Sequence, residues 1–206
     1  MKQKFILCLL VGLISFIADA QIKFDIEVSS GYTYWGWGEK FEFTNEIGGD
    51  IKEGRINGSG LNIQALFSVL KPMNDRLSIG AQFGYQKILF NELKPPNSST
   101  EILFATRNPS YYKYGFLIDY KIIDKGIKLA PQLVFGGVHG NNVYINDGKY
   151  RHGYHANLGV KFGIPLKDIE FFVCPRYTFQ SFGVGYDDLV EYQIQHNINL
   201  GLGIRF

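Results

Sequence analysis

The chain has 206 residues, with 21 Lys+Arg against 19 Asp+Glu and a formal charge of +2. That length allows one domain or two small ones, and a charge so near balance excludes a nucleic-acid binder with a broad basic face. Charged residues at 19 % and a mean hydropathy of −0.05 exclude both an acidic disordered chain and a bundle of membrane helices. Aromatics are 16 % and Gly is 24 residues against 7 Pro, a balance that favours β structure.

The first segment reads as an address. Lys2 and Lys4 precede an apolar run from Phe5 to Ile17, and Ala18-Asp19-Ala20 has the A-x-A form of a signal-peptidase site. The run is 13 residues, too short for a hydrocarbon core that needs about 20. The expected division is therefore a signal peptide over 1–20 and a single β domain over 21–206. Cys8 falls in the leader, so Cys174 is left alone and no internal disulfide can form. No His or carboxylate pattern surrounds Cys174, which marks it as a packing residue.

From Ile22 the chain alternates. In Ile22-Lys23-Phe24-Asp25-Ile26-Glu27-Val28-Ser29 every even position is apolar and every odd one polar, a period that only a strand satisfies. The same face continues through Tyr32 and Tyr34. Seven more such segments follow, at Leu61–Leu70, Leu77–Ile88, Tyr111–Lys121, Ile127–Gly137, Arg151–Ile164, Ile169–Gln180 and Glu191–Phe206. Short turns carrying Pro, Asn, Asp or Gly lie at Lys71–Arg76, Ile122–Gly126 and Pro165–Asp168. Longer stretches lie between, at Gly36–Gly60, Phe90–Ser110, Val138–Tyr150 and Ser181–Val190. An even number of strands with short turns at one end and long loops at the other predicts an all-β, eight-stranded, antiparallel, up-and-down transmembrane β-barrel. Pro131 and Pro175 sit mid-strand and predict either local bulges or an unpaired carbonyl.

Alternation alone also fits a soluble barrel that holds a small apolar ligand. Three features favour the membrane. The apolar face carries no Asp, Glu, Lys or Arg in any segment, as a lipid-facing surface requires. The opposite face holds Lys23, Asp25, Glu27, Lys113, Asp119, Lys161, Glu170, Arg176 and Arg205, with Lys128, Gln64 and Gln82. Tyr32, Tyr34, Trp35, Trp37, Tyr85, Tyr112, Tyr154, Tyr177 and Tyr192, with Phe90, Tyr111, Tyr150 and Phe179, collect near the long loops and predict an outer aromatic girdle.

Leu200-Gly201-Leu202-Gly203-Ile204-Arg205-Phe206 resembles the C-terminal signal by which bacterial outer-membrane barrels are recognised for assembly. Gly201, Ile204 and Phe206 match it, while Leu200 stands where a polar residue is usual. More broadly, residues 21–206 resemble the small PorT-like outer-membrane β-barrel family, most clearly in Arg176-Tyr177 and the last strand. The resemblance implies an integral eight-stranded membrane barrel with varied tasks and no catalytic site.

Eight strands enclose only enough space for side chains, so the inward charges must pair. A filled, salt-bridged core is expected in preference to an open conduit. His152 and His155 point to opposite faces, and His139 and His152 flank the third long loop without a carboxylate or Cys to complete a metal site. A lipid-deacylating barrel needs an outward His-x-Ser, and none of His139, His152, His155 or His196 has Ser at that spacing. Gly48-Gly49, Gly58-Ser59-Gly60 and Gly136-Gly137 precede no helix and hold no phosphate. Asp187, Asp188 and Glu191 make a solvated acidic loop. The expectation is a non-enzymatic outer-membrane protein without a cofactor, structural or interaction-based, assisting the envelope or a secretion system. Its expected partners are outer-membrane lipid and lipopolysaccharide, the barrel assembly machinery, and an external partner at the long loops. An outer-leaflet lipid-modifying enzyme and the soluble ligand-binding barrel are the alternatives.

Overall fold

The computed structural model describes residues 22–37, 41–43, 52–54, 57–89, 92–94, 110–141, 149–186 and 189–206. The signal peptide expected over 1–20 lies outside them. Eight long strands carry the fold: β1 (Lys23–Trp37), β4 (Asn57–Pro72), β5 (Leu77–Ile88), β7 (Ser110–Tyr120), β9 (Ile127–Asn141), β10 (Lys149–Leu166), β11 (Ile169–Tyr186) and β12 (Leu189–Arg205). Four short ones, absent from the sequence reading, are β2 (Phe41–Phe43), β3 (Lys52–Gly54), β6 (Glu92–Lys94) and β8 (Ile123–Lys125). β2 pairs β3, β6 extends the ladder of β4, and β8 folds back on β9. Several long strands outrun expectation at the loop end: β4 begins at Asn57, β9 reaches Asn141, β10 begins at Lys149, β11 reaches Tyr186 and β12 begins at Leu189. Pairing there continues past the point where apolar alternation fades.

The long strands run antiparallel in the order β1-β12-β11-β10-β9-β7-β5-β4, and β4 pairs β1, so the sheet closes. Phe24 and Phe206 exchange both backbone bonds at the seam, at 3.2 and 2.9 Å. Closure leaves no edge among these strands, as hydrocarbon demands. Ladder partners from Leu70 run Gly80, Leu117, Val134, Asn157, Thr178, Asn197, Thr33 and back to Gly60, ten residues along the starting strand. With eight strands that stagger tilts the chain about 40° to the barrel axis.

The predicted bulges at the prolines do not occur. Pro131 pairs Val160 in an unshifted register, and the β7–β9 ladder simply ends at Asp119↔Gln132 beside it. Across β10–β11 the pairs pass from Gly159↔Arg176 to Phe162↔Val173 in one register, with Pro175 in the gap. The missing N–H therefore removes ladder bonds without adding a residue. A register shift falls instead between Tyr150 and Gly153.

Burial is inverted relative to a soluble protein. Ile198, Leu202 and Phe135 are 69, 63 and 63 % exposed, while Asn197 and Thr178 are fully buried. The outward belt of Ile, Leu, Val, Phe and Tyr runs around the barrel, far beyond the apolar patches that soluble monomers expose. The inward face is mostly polar, with Leu70, Leu117 and Val134 as an apolar cluster within it. This excludes the soluble alternative, whose apolar residues would line the cavity, and makes the chain a transmembrane β-barrel.

Candidate functional site: the polar interior and its two rims

Strand parity and the stagger together decide which inward side chains meet. At the short-turn end, Arg205 bonds Asp25 at 2.7 and 3.0 Å and Asp119 at 2.6 Å. Lys161 pairs with Asp25, lies 3.7 Å from Asp119 and sits 4.1 Å from the Phe172 ring centre. Gln132 donates to Asp119 at 2.8 Å. Two cations thus face two carboxylates. Further in, Arg176 donates to Glu27 at 2.7 Å and lies 3.5 Å from Gln82, Gln132 and the Cys174 sulfur. Cys174 is buried, as expected of a packing residue. At the rim Lys128 pairs Glu170 at 2.9 Å.

Two expected members of this network stand apart. The Lys113 ammonium is buried with no hydrogen-bond partner among the described residues. Lys23 is only half-buried, because it lies at the start of β1, and it makes no ion pair among the described residues. Parity places a side chain inside the barrel; it does not supply a counter-charge.

Above the charges lies a layer that the sequence reading mostly missed. Gln180 donates to Gln86 at 3.1 Å and to Gln195 at 2.7 Å, and Gln195 donates to the Tyr111 hydroxyl at 2.8 Å. Gln86 and Thr33 donate to Asn197 at 2.9 and 2.6 Å, and Asn62 donates to Thr33 at 2.9 Å. Inward parity was the available signal: all of these residues occupy it. The loop end is capped by Trp35, Ile88, Tyr111, Val138 and Phe182, buried together, with Tyr111 and Phe182 stacked at 4.9 Å.

That cap corrects the girdle. Trp35 is 3 % exposed and Tyr111 1 %. Nearness to a loop groups both with the girdle, whereas the alternation that turns Tyr34 and Tyr112 outward turns them inward. Tyr32, Tyr34, Tyr85, Tyr112, Tyr154 and Tyr177 do face outward, with Tyr85 and Tyr112 in contact at 5.3 Å. The side chains of Trp37, Tyr150 and Tyr192, and Phe90 altogether, lie outside the described residues, as do Asp187 and Asp188.

The histidines divide as parity requires. His155 is buried, 3.3 Å from the Tyr114 carbonyl and 3.4 Å from Asn157, while His152 is exposed, its ring tilted against that of His139 at 4.8 Å. His196 faces outward, its Nδ1 2.6 Å from the Tyr177 hydroxyl. Of the assembly-signal residues, Gly201 is buried and inward, Ile204 is partly exposed on the apolar face, and Phe206 is 53 % exposed. In the turn after β7, Lys121 donates to Asp124 at 2.6 Å and holds its carboxyl below the usual carboxylate range.

No protein-family model and no curated protein matches the chain. Solved structures do. Neisserial surface protein A superimposes with a TM-score of 0.51 at 11 % identity, covering 89 % of this chain and 97 % of its own. The outer-membrane protein AlkL aligns at 0.46 and 11 %, covering 88 and 89 %. The Yersinia pestis outer-membrane protein Ail aligns at 0.40 and 16 %, covering 88 and 99 %. At these identities the likeness is one of fold, and on the first of them the chain has the eight-stranded outer-membrane barrel fold.

Proposed function

We infer that this chain is an integral protein of the bacterial outer membrane whose interior is closed to solutes and whose work is done by its surface. The observation that carries the reading is the pairing of an outward apolar belt with an inward face of buried, mutually bonded polar side chains. Water-filled barrels need more strands, because eight enclose only enough room for side chains. The short turns then face the periplasm and the long connections face outside. The task is structural or interaction-based rather than catalytic, with an external partner at the long connections. Kinship with the small PorT-like barrels and a secretion-associated role are part of this reading, supported by the Arg176-Tyr177 strand and the last strand. Gly201, Ile204 and Phe206 are its assembly signal, read by the barrel assembly machinery.

Planar-bilayer recording tests the closed interior. Purified protein is expected to give no large, steady conductance, and a stable porin-like current overturns it. Membrane fractionation tests the location: a soluble, folded chain would remove the whole reading. Photo-crosslinking from the long connections in the native envelope then identifies the partner.

A further inference from the structure

Two depressions meet at the short-turn end of β10, β11, β12 and β1. The first is an apolar groove of about 510 Å³ on the outward face, between Ile26, Phe162, Phe171, Val173, Leu202 and Ile204. Its size is within the ~300–1,000 Å³ of small-molecule sites. The second lies at the short-turn rim and is lined by Lys23, Lys128, Lys167, Arg205, Asp168 and Glu170. Phe206 borders both, so the two adjoin there.

The charges of the lower depression are unequally used. Lys128 is neutralised by Glu170, and Arg205 by Asp25 and Asp119. Lys23 and Lys167 make no salt bridge among the described residues. Lys167 is also held at a φ of 55°, the left-handed region that favours glycine. The two-residue turn between β10 and β11 thus places a cation where the backbone would be better served by no side chain. In the other short turns Lys71, Arg76 and Lys121 stand against Asp75 and Asp124, and four cations line the depression against the two carboxylates of Asp168 and Glu170.

We propose that this rim binds one anionic phospholipid of the inner leaflet, its acyl chain in the Ile26–Leu202–Val173 groove and its phosphate held by Lys23 and Lys167. The occupant follows from the meeting of the two depressions at Phe206. A groove inside the lipid-facing belt is filled by hydrocarbon, and the polar end of that hydrocarbon must emerge where the two unpaired lysines stand. A zwitterionic headgroup brings its own cation and gains less from them. The site rests on the membrane location argued above.

The test uses the purified full chain in detergent micelles, with bound lipid read by native mass spectrometry. Phosphatidylglycerol is expected to be retained about fivefold over phosphatidylcholine of the same acyl chains, on the order of one lysine's electrostatic worth at a membrane surface. Lys167→Gly relieves the φ while removing the charge, so it keeps the fold and is expected to abolish most of that preference. Lys23→Gln acts in the same direction. Val173→Trp fills the groove and is expected to lower retention of both lipids. Equal retention of the two lipids overturns the site, as does an unchanged preference in Lys167→Gly. Equal loss in Arg76→Gln shows a diffuse rim charge and overturns it too, and displacement by inorganic phosphate alone shows that no acyl chain is held. Failure of the chain to insert into vesicles overturns the membrane location with the site, whereas an inserted, heat-modifiable barrel without the preference overturns the site alone.

Discussion

Arg176 reaches Glu27 at 2.7 Å across 149 residues of sequence, and both side chains are buried. Their strands are not neighbours, since β12 lies between β11 and β1. The contact passes over Gly201, where a Cβ would fall against the Glu27 carboxylate. Glu27→Ala leaves the guanidinium buried without its counter-charge and is expected to cost about 3–5 kcal/mol. Urea unfolding in lipid vesicles measures it, and an unchanged midpoint would show that Glu27 does not neutralise Arg176. Glu27→Leu with Arg176→Met is expected to recover most of the loss, because it removes both charges together.

Gly201→Ala should be destabilising for the same reason, by displacing the carboxylate from Arg176. The effect belongs to Glu27, so Gly201→Ala in the Glu27→Ala background should cost far less than in the native chain. A double-mutant cycle on unfolding midpoints decides it. Strict additivity would place the glycine's role elsewhere.

The girdle correction has its own test. Trp35 lies inside the aromatic cap with Ile88, Tyr111, Val138 and Phe182. The chain has 2 Trp, so Trp37→Phe isolates Trp35. Its fluorescence is expected to be blue-shifted and quenched neither by aqueous acrylamide nor by brominated acyl chains. Strong quenching by the brominated lipid would return Trp35 to the lipid boundary.

How far the sequence reached is visible in these residues. Ile26 and Glu27 are opposite in character and adjacent in sequence, so period two alone sends one to lipid and the other inside. The eight long strands and the membrane face follow from that rule. Trp35 departs from the girdle because parity, not nearness to a loop, decides which aromatics reach lipid. The bulges at Pro131 and Pro175 failed because a closed ladder can lose a bond without gaining a residue. The partner of Arg176 was illegible for a deeper reason. It depends on the ten-residue stagger around the barrel, which sums every register and belongs to no single strand. Lys23 and Lys113 are inward by parity, yet only the closed barrel reveals that neither makes an ion pair among the described residues.

The lipid belt predicts a cost that depends on which face is changed. Leu200 is 56 % exposed and flanked outward by Ile198 and Leu202. Leu200→Arg puts a charge into hydrocarbon and is expected to cost about 2–4 kcal/mol near the midplane. Ile122→Arg, in the exposed turn after β7, should be nearly neutral. Equal costs in vesicles would mean that Leu200 does not face lipid.

Lys113 and Lys161 are both fully inside the barrel, and they should respond to the same substitution with opposite sign. Lys161 stands between Asp25 and Asp119, so Lys161→Met leaves Arg205 to neutralise two buried carboxylates alone. Breaking such a cluster is expected to destabilise by about 3–5 kcal/mol. Lys113 has a buried ammonium with no hydrogen-bond partner among the described residues, and His155 and Arg176 are the titratable groups near it. Neither supplies negative charge. Burying a cation in that setting is costly, and Met keeps the length of the side chain without the charge. Lys113→Met is therefore expected to raise the urea midpoint while Lys161→Met lowers it, with heat-modifiable migration showing that both variants still form the barrel. A fall in both midpoints would mean that Lys113 is neutralised by a group outside the described residues, and that its isolation inside the barrel is not real.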